Sequence, residues 1–348
     1  MNKYQIVERA GKFNHAGSKA TADVADIAEK MGFKSVYVDM DTTDLSKIAK
    51  IKRQIGYLRD YKKIKKTIPE GATVLLQHPF HHKQLTRNKT LKYLKETKKV
   101  KYICMVHDVE ELRQFRYNDY YKEEFEFMLE IADVIIVHND KMKAFFERKN
   151  VANKKLIVLD IFDYIQDGNT QPPVFEKSIT IAGNLDTTKC GYVGGLTELK
   201  NVKINLYGSN FDQAMSKYDN VEYFGSFPPE EIPKKLKSGF GLVWDGSGID
   251  GCMGESGQYL RYNNPHKLSL YLSSGIPVIT WSQAAEADFV RKHKTGICVD
   301  SLRELDNILA NLTEEEYNEF VKNCNKIGQQ LRQGYYAKTA ITKALQLI

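Results

Sequence analysis

Short, nearly continuous apolar runs alternate with helical stretches along most of this chain, and that rhythm restricts the folds open to it. The first half carries five such runs: SVYVDM (35–40), ATVLLQHP (72–79), VKYICMVHD (100–108), ADVIIVHN (132–139) and KKLIVLDIFD (154–163). A strand buried on both faces loses the polar alternation of a half-exposed strand, so these runs predict a parallel sheet covered by helices on both sides. The stretch YIQDGNTQPP (164–173) breaks the rhythm with a Gly and two Pro and reads as a linker. The rhythm then restarts with SITIAGN (178–184), VKINLYGS (202–209), VEYFGSF (221–227), GFGLVWDG (239–246), IPVITW (276–281) and TGICVD (295–300).

The expected fold class is therefore α/β, with two doubly wound domains facing a cleft. The boundaries read as 1–163, a linker at 164–173, a second domain at 174–325 and a C-terminal helix at 326–348 that returns to the first domain. A chain of 348 residues suits two such cores. No stretch reaches the roughly 18 to 20 apolar residues of a membrane span. The opening MNKYQIVERAGKFNHAG lacks a leader-like apolar core, and the five cysteines are scattered without a CxxC. These features predict a cytosolic protein with reduced thiols.

In open parallel sheets, ligands bind beyond the carboxyl ends of the strands. Gln77-His78, His107-Asp108 and His138-Asn139 end three of the first-half runs and are expected on one rim. In the second half NNPHKLSLYLSSGIPVI (263–279) starts with polar residues, turns apolar at helical spacing and stops at Gly275. Pro265 suits a first helical turn, which leaves Asn264, His266 and Lys267 at the helix N-terminus. That end favours an anion, so a lysine there makes sense if a diphosphate is its partner. The bland alternative is a lysine reaching into water.

The string P-x-K-L-x-x-Y-L-x-x-G-I-P-V-I resembles the nucleotide-binding helix of GT-B glycosyltransferases, in which two Rossmann-like domains clamp a sugar nucleotide. ATVLLQHPF, CMVHDVEELR and ITIAGNLDTTK narrow the resemblance to bacterial β-1,6-galactofuranosyltransferases and the related glucosyltransferases of serine-rich repeat adhesin glycosylation. The resemblance runs from about residue 11 to residue 300 by scattered motifs. It implies a UDP-sugar donor, UDP as product, no cofactor, no essential metal and oligomers in some members. Many retaining members of the fold carry two glutamates eight apart in this region. Tyr262 and Leu270 stand there instead, which puts that retaining mechanism in doubt.

On this reading Gly183, Asn184 and Lys189 form a phosphate-side turn. Tyr207 stacks on or bonds to uracil, and Arg261 reaches the phosphates from a Gly-rich loop (244–264) that closes over the donor. A plain turn is the alternative for AGNLDTTK. Asn14, His15, Gly17 and Ser18, with Gln77 and His78, face the acceptor. An inverting transfer needs one base for the acceptor proton. Asp108 is the first choice and His107 the second, although Asp108 could instead cap the following helix. The DMD at 39–41 is not assigned a metal.

The net charge is +7, and lysines crowd 47–66 and 91–101. Such a basic face suits an anionic membrane, although solvated helix faces also look like this. Ile48, Ile51, Ile55, Leu58 and Ile64 sit near helical spacing, so that helix is expected to bury an apolar stripe. The leading expectation is a transferase moving a hexose, galactofuranose or glucose, onto a lipid-linked or protein-linked saccharide, with a peripheral station at the inner membrane face. An inactive GT-B scaffold partner is the alternative, and UDP calorimetry separates the two. A nucleic-acid partner is not expected, because no recognised module accompanies the charge.

Overall fold

Twelve strands form the framework of the computed structural model, which describes residues 2–10, 19–40, 44, 46–149, 151, 155–168, 171–188 and 190–348. The first sheet contains β1 (Lys3–Ala10), β2 (Lys34–Met40), β3 (Thr73–His78), β4 (Lys101–Val106), β5 (Val134–Val137) and β6 (Lys155–Val158). The second contains β7 (Val174–Ala182), β8 (Lys203–Tyr207), β9 (Val221–Tyr223), β10 (Ser238–Val243), β11 (Val278–Trp281) and β12 (Gly296–Val299). Their orders are β2-β1-β3-β4-β5-β6 and β12-β11-β10-β7-β8-β9. All described pairings are parallel. The fold is the expected two-domain α/β arrangement.

The eleven expected strands are present, and β1 is an addition. KYQIVERA mixes four charged or amide side chains with its apolar ones, so it lacks the continuous apolar signature. It nevertheless lies between β2 and β3, with Tyr4 and Ile6 buried. Gln5 is also buried; its amide donates to Ala25 O at 2.9 Å and Ser35 Oγ at 3.0 Å, which makes a polar residue tolerable there.

The chain crosses between domains twice. The first half of the linker is bound in: Tyr164 Oη donates to Pro229 O at 2.8 Å, and Asp23 accepts from Ile165 N–H at 3.0 Å. Helix Glu314–Arg332 packs on helix His266–Ser273 of the second domain. Gly334, at φ +70°, breaks the path, and helix Tyr335–Gln346 then packs on β5, β6 and helix Lys19–Lys30 of the first domain. Asp163 caps that last helix, accepting from Tyr336 N–H at 3.1 Å and Ala337 N–H at 2.7 Å.

One expectation about packing is overturned. Helix Lys47–Thr67 buries Tyr57, Asp60, Tyr61 and Ile64. Ile48, Ile51, Ile55 and Leu58 point to solvent, at 68, 63, 63 and 53% exposure. The helix carries two apolar stripes, and β2 takes the tyrosine one. The five cysteines are free. Among the described residues no helix is long and apolar enough to cross a membrane.

Candidate active site

The carboxyl ends of both sheets face each other. On the second-domain side, β7 and β8 end in Gly183 at φ +144° and Gly208 at φ +149°. A Cβ on Gly208 would lie 1.6 Å from Gly183 O, so the two turns stack only because the residue is glycine. Leu185 N–H donates to Ser209 O at 2.9 Å and ties the turns together. The Asn184 side chain shapes this turn from within, accepting from Asp186 N–H at 3.1 Å and Asn210 Nδ2 at 2.8 Å. Lys189, the cation expected here, lies outside the described residues, as do Asn14, His15, Gly17 and Ser18.

Lys267 rises from the first turn of helix His266–Ser273 to this rim. Its Cε would lie 3.5 Å from a Cβ at Gly183. Its Nζ donates to Asp245 Oδ1 at 3.0 Å, just past the end of β10. Burial works against the charge, but the Asp245 carboxylate together with Tyr192, Cys190 and Tyr271 outweighs it and holds the ammonium pKa well above its ordinary value. Tyr192 lies within electrostatic reach of both partners, and its fully buried hydroxyl has no hydrogen-bond partner. A buried orphan beside a lysine marks a place where a polar ligand or water completes the pattern.

Arg261 sits over the Trp281 ring, its guanidinium carbon 4.6 Å from the ring centre. Nε donates to Gln258 Oε1 at 2.8 Å and an Nη to Gln283 Oε1 at 2.5 Å. Both partners are neutral, so the positive charge stays uncompensated by them. The buried Cys252 thiol is in electrostatic reach of Asp245, Lys267 and Arg261, which places the three in one neighbourhood. The Gly-rich loop is ordered rather than structureless. It contains helix Gly254–Tyr259, and the Tyr259 hydroxyl accepts from Val109 N–H at 3.0 Å across the domain gap.

On the first-domain side His107 stacks on Phe162, with ring centres 5.1 Å apart and planes at 12°. Its Nε2 meets Gln77 Oε1 at 2.7 Å, while Gln77 Nε2 donates to Thr21 O at 3.1 Å. The amide nitrogen of Gln77 is thus committed elsewhere, and its oxygen can only accept. His107 therefore carries its proton on Nε2, and Nδ1 keeps the lone pair. Burial, reinforced by neighbouring histidines, pushes its pKa well below the ordinary value.

Asp108 does not cap the next helix, whose N-cap is Val109 with no side-chain bond. It is paired instead with Arg113 Nη1 at 2.9 Å and hydrogen-bonded to the Tyr259 hydroxyl. Asp39, from the DMD, is bound by Arg9 at 2.8 Å, and Asp41 lies outside the described residues.

Four expected ligand contacts have other occupations. Asn264 is a buried pin between the domains. Its Nδ2 donates to His138 O at 2.9 Å and Asp160 O at 3.0 Å, and its Oδ1 accepts from Asn139 Nδ2 at 2.7 Å. His266 stacks on Tyr164 of the linker with centres 4.9 Å apart, and its Nε2 meets Asp163 O at 3.2 Å. His78 is 2% exposed and turns inward, its Nδ1 2.9 Å from Glu124 Oε2, rather than facing an acceptor. Tyr207 stacks on Phe224 with centres 4.8 Å apart, and it lines a groove of about 400 Å³ with Glu176, Lys203 and Ser238. These belong to the amino-end portions of β7, β8 and β10, so the ring lies along the sheet face away from the rim.

The pin yields two predictions. Asn264→Ala removes three buried hydrogen bonds between the domains and strips Asp160 O of its donor, while His138 O keeps Asp160 N–H and Asn139 Nδ2 keeps Tyr262 O. It is expected to cost about 2–4 kcal/mol, read as a lowered melting temperature. His138 accepts from Asn264 N–H at Nδ1 (2.9 Å) and faces Val106 O through Nε2 (3.1 Å). Burial pushes its pKa down to about 3. A depressed histidine contributes stability above its unfolded value near 6.5, and that contribution is lost as pH falls. Buried carboxylates work oppositely. Glu8 and Asp163, both raised to about 7 by burial, contribute stability at low pH that is lost as pH rises. Comparing wild type with His138→Phe isolates the histidine. The stability difference should shift by about 2 kcal/mol against wild type between pH 7 and pH 5.

Two family models match the chain: glucosyltransferase 3-like, N-terminal domain, over residues 3–161, and glucosyltransferase 3-like, C-terminal domain, over residues 179–344. The chain belongs to the glucosyltransferase 3-like family. It is 32% identical over 252 residues to β-1,6-galactofuranosyltransferase WbbI of Escherichia coli (strain K12), covering 71% of this chain and 72% of that one. It is 26% identical to Glucosyltransferase 3 of Streptococcus gordonii, covering 94% and 93%. Among solved structures, sucrose-phosphate synthase from Thermosynechococcus elongatus superposes with TM-score 0.65 at 11% identity, covering 99% and 98%. The lipopolysaccharide outer core galactosyltransferase WaaB superposes with TM-score 0.58 at 14% identity, covering 98% and 99%. The fold of this glucosyltransferase 3-like chain is GT-B, and the chain is a glycosyltransferase.

Proposed function

We propose that the protein transfers a hexose from a UDP-sugar to a saccharide acceptor with inversion, and that the acceptor is lipid-linked or protein-linked. The observation that carries the donor assignment is Lys267. It stands at the rim beside the Gly183 turn, over an orphaned tyrosine hydroxyl, with Arg261 in the same neighbourhood. Together the cations meet the charge that builds on the leaving diphosphate, the task a divalent ion performs in other transferases. The named relatives make galactofuranose and glucose the first donors to test.

Between the two catalytic candidates the geometry favours His107. Asp108 is held by Arg113 and Tyr259, which spends its basicity on the domain contact. His107 has one nitrogen anchored by Gln77 and the other bearing a lone pair, the arrangement of an oriented general base. In the step, the acceptor oxygen bonds to the anomeric carbon and its proton passes to His107 Nδ1. The bond from that carbon to the UDP oxygen breaks, and UDP leaves with the electron pair.

The test is turnover with UDP-glucose, UDP-galactose, UDP-galactofuranose and UDP-N-acetylglucosamine, with the product anomer determined. A product retaining the donor's configuration overturns the inverting step. Absent UDP affinity by calorimetry overturns the donor assignment and leaves the scaffold reading.

A further inference from the structure

Helix Lys47–Thr67 contains seven lysines, two arginines and one acid, Asp60. Asp60 is buried, accepts from Asp39 N–H at 3.2 Å and lies 3.7 Å from Arg59 Nε, so it offsets at most that one exposed cation and leaves the lysines uncompensated by this helix. Ile48, Ile51, Ile55 and Leu58 recur at spacings of three and four and form one stripe facing outward. Leu85, 69% exposed, borders it. Gln54 holds that loop beside the stripe, donating to Lys83 O at 2.8 Å and accepting from Leu85 N–H at 3.1 Å. By helical geometry Lys47, Lys52, Arg59, Lys62 and Lys66 flank the stripe, and all five are exposed.

Solvent-facing aliphatics over three helical turns are a cost in a water-exposed protein unless something covers them. A cationic rim selects what does. Two such helices brought face to face in a dimer would set like charges against each other, whereas an anionic bilayer accepts both the aliphatics and the lysines. We infer that this helix is a docking surface for anionic phospholipid, with the Ile48-Ile51-Ile55-Leu58 stripe entering the headgroup boundary and the lysine rim contacting lipid phosphates. The helix follows β2, which ends on the same carboxyl rim as the cleft, so its first turn lies near the acceptor side. On the proposed function, docking there presents a lipid-anchored acceptor to the cleft.

The experiment is vesicle cosedimentation of the full chain, without donor or acceptor, so it reads independently of transfer chemistry. Vesicles of phosphatidylcholine alone are compared with vesicles containing phosphatidylglycerol at about 30 mol%. Wild type should sediment with the anionic vesicles and stay free of the neutral ones. Ile51→Ser/Ile55→Ser should weaken the binding at least about ten-fold while leaving the melting temperature unchanged, because both side chains are already in solvent. Lys52→Glu/Lys62→Glu should weaken it comparably. Failure of wild type to bind anionic vesicles overturns the inference, as does equal binding by the isoleucine variant. A wild-type dimer in light scattering that the isoleucine variant converts to monomer would also overturn it, by assigning the stripe to a second copy.

Discussion

Lys267→Ala is expected to lower UDP affinity by at least about 100-fold, roughly 2.7 kcal/mol. The loss exceeds one charge-assisted hydrogen bond because of Asp245. In the wild type the pair is neutral at the rim, with the ammonium and carboxylate 3.0 Å apart and largely shielded. Removing the ammonium leaves a carboxylate where the diphosphate must sit, so attraction is replaced by like-charge repulsion. The same argument predicts that Lys267→Ala/Asp245→Asn recovers part of the lost affinity, although it has lost both charges. Calorimetry on the two variants and the single Asp245→Asn forms a cycle. If the double variant binds UDP no better than Lys267→Ala, the diphosphate does not lie beside this pair.

His107→Ala is expected to lower turnover by about 10³-fold while leaving UDP affinity within about two-fold. Asp108→Asn should do less to the chemical step and more to the domain contact, since its partners are Arg113 and Tyr259. The pH profile separates the two roles. Burial and neighbouring histidines depress the His107 pKa, so its base form persists well below pH 6.5. The acid limb of the wild-type rate should therefore fall well below that value. Gln77→Leu removes the acceptor that fixes the tautomer, and it should reduce turnover and displace the limb while UDP still binds. Full turnover in His107→Ala would return the base assignment to Asp108.

The parallel strands were legible in the sequence because double-sided burial demands runs such as LIVLD and VLLQ, which few other environments tolerate. The order of helix, Gly275 and strand marked the lysine helix, since backbone termination is a local property. β1 escaped because three of its eight residues are charged and its place between two neighbours, not its own pattern, supplies the burial.

Side-chain direction was another matter. Asn264, His266, His78 and Tyr207 each stand at a plausible position in the sequence, yet their polar atoms or rings are used by the other domain, the linker, the core or the sheet face. Helix Lys47–Thr67 shows the reason most plainly. Its sequence carries two apolar stripes with nearly the same period, and period specifies that a helix has faces without saying which face meets the protein. Local chemistry determined where this chain becomes strand, helix or glycine turn. Only the packing of helices on sheets and of one domain on the other decided that Asn264 and His266 hold the fold together, while Lys267 reaches the Gly183 turn and Arg261 keeps only neutral hydrogen-bond partners.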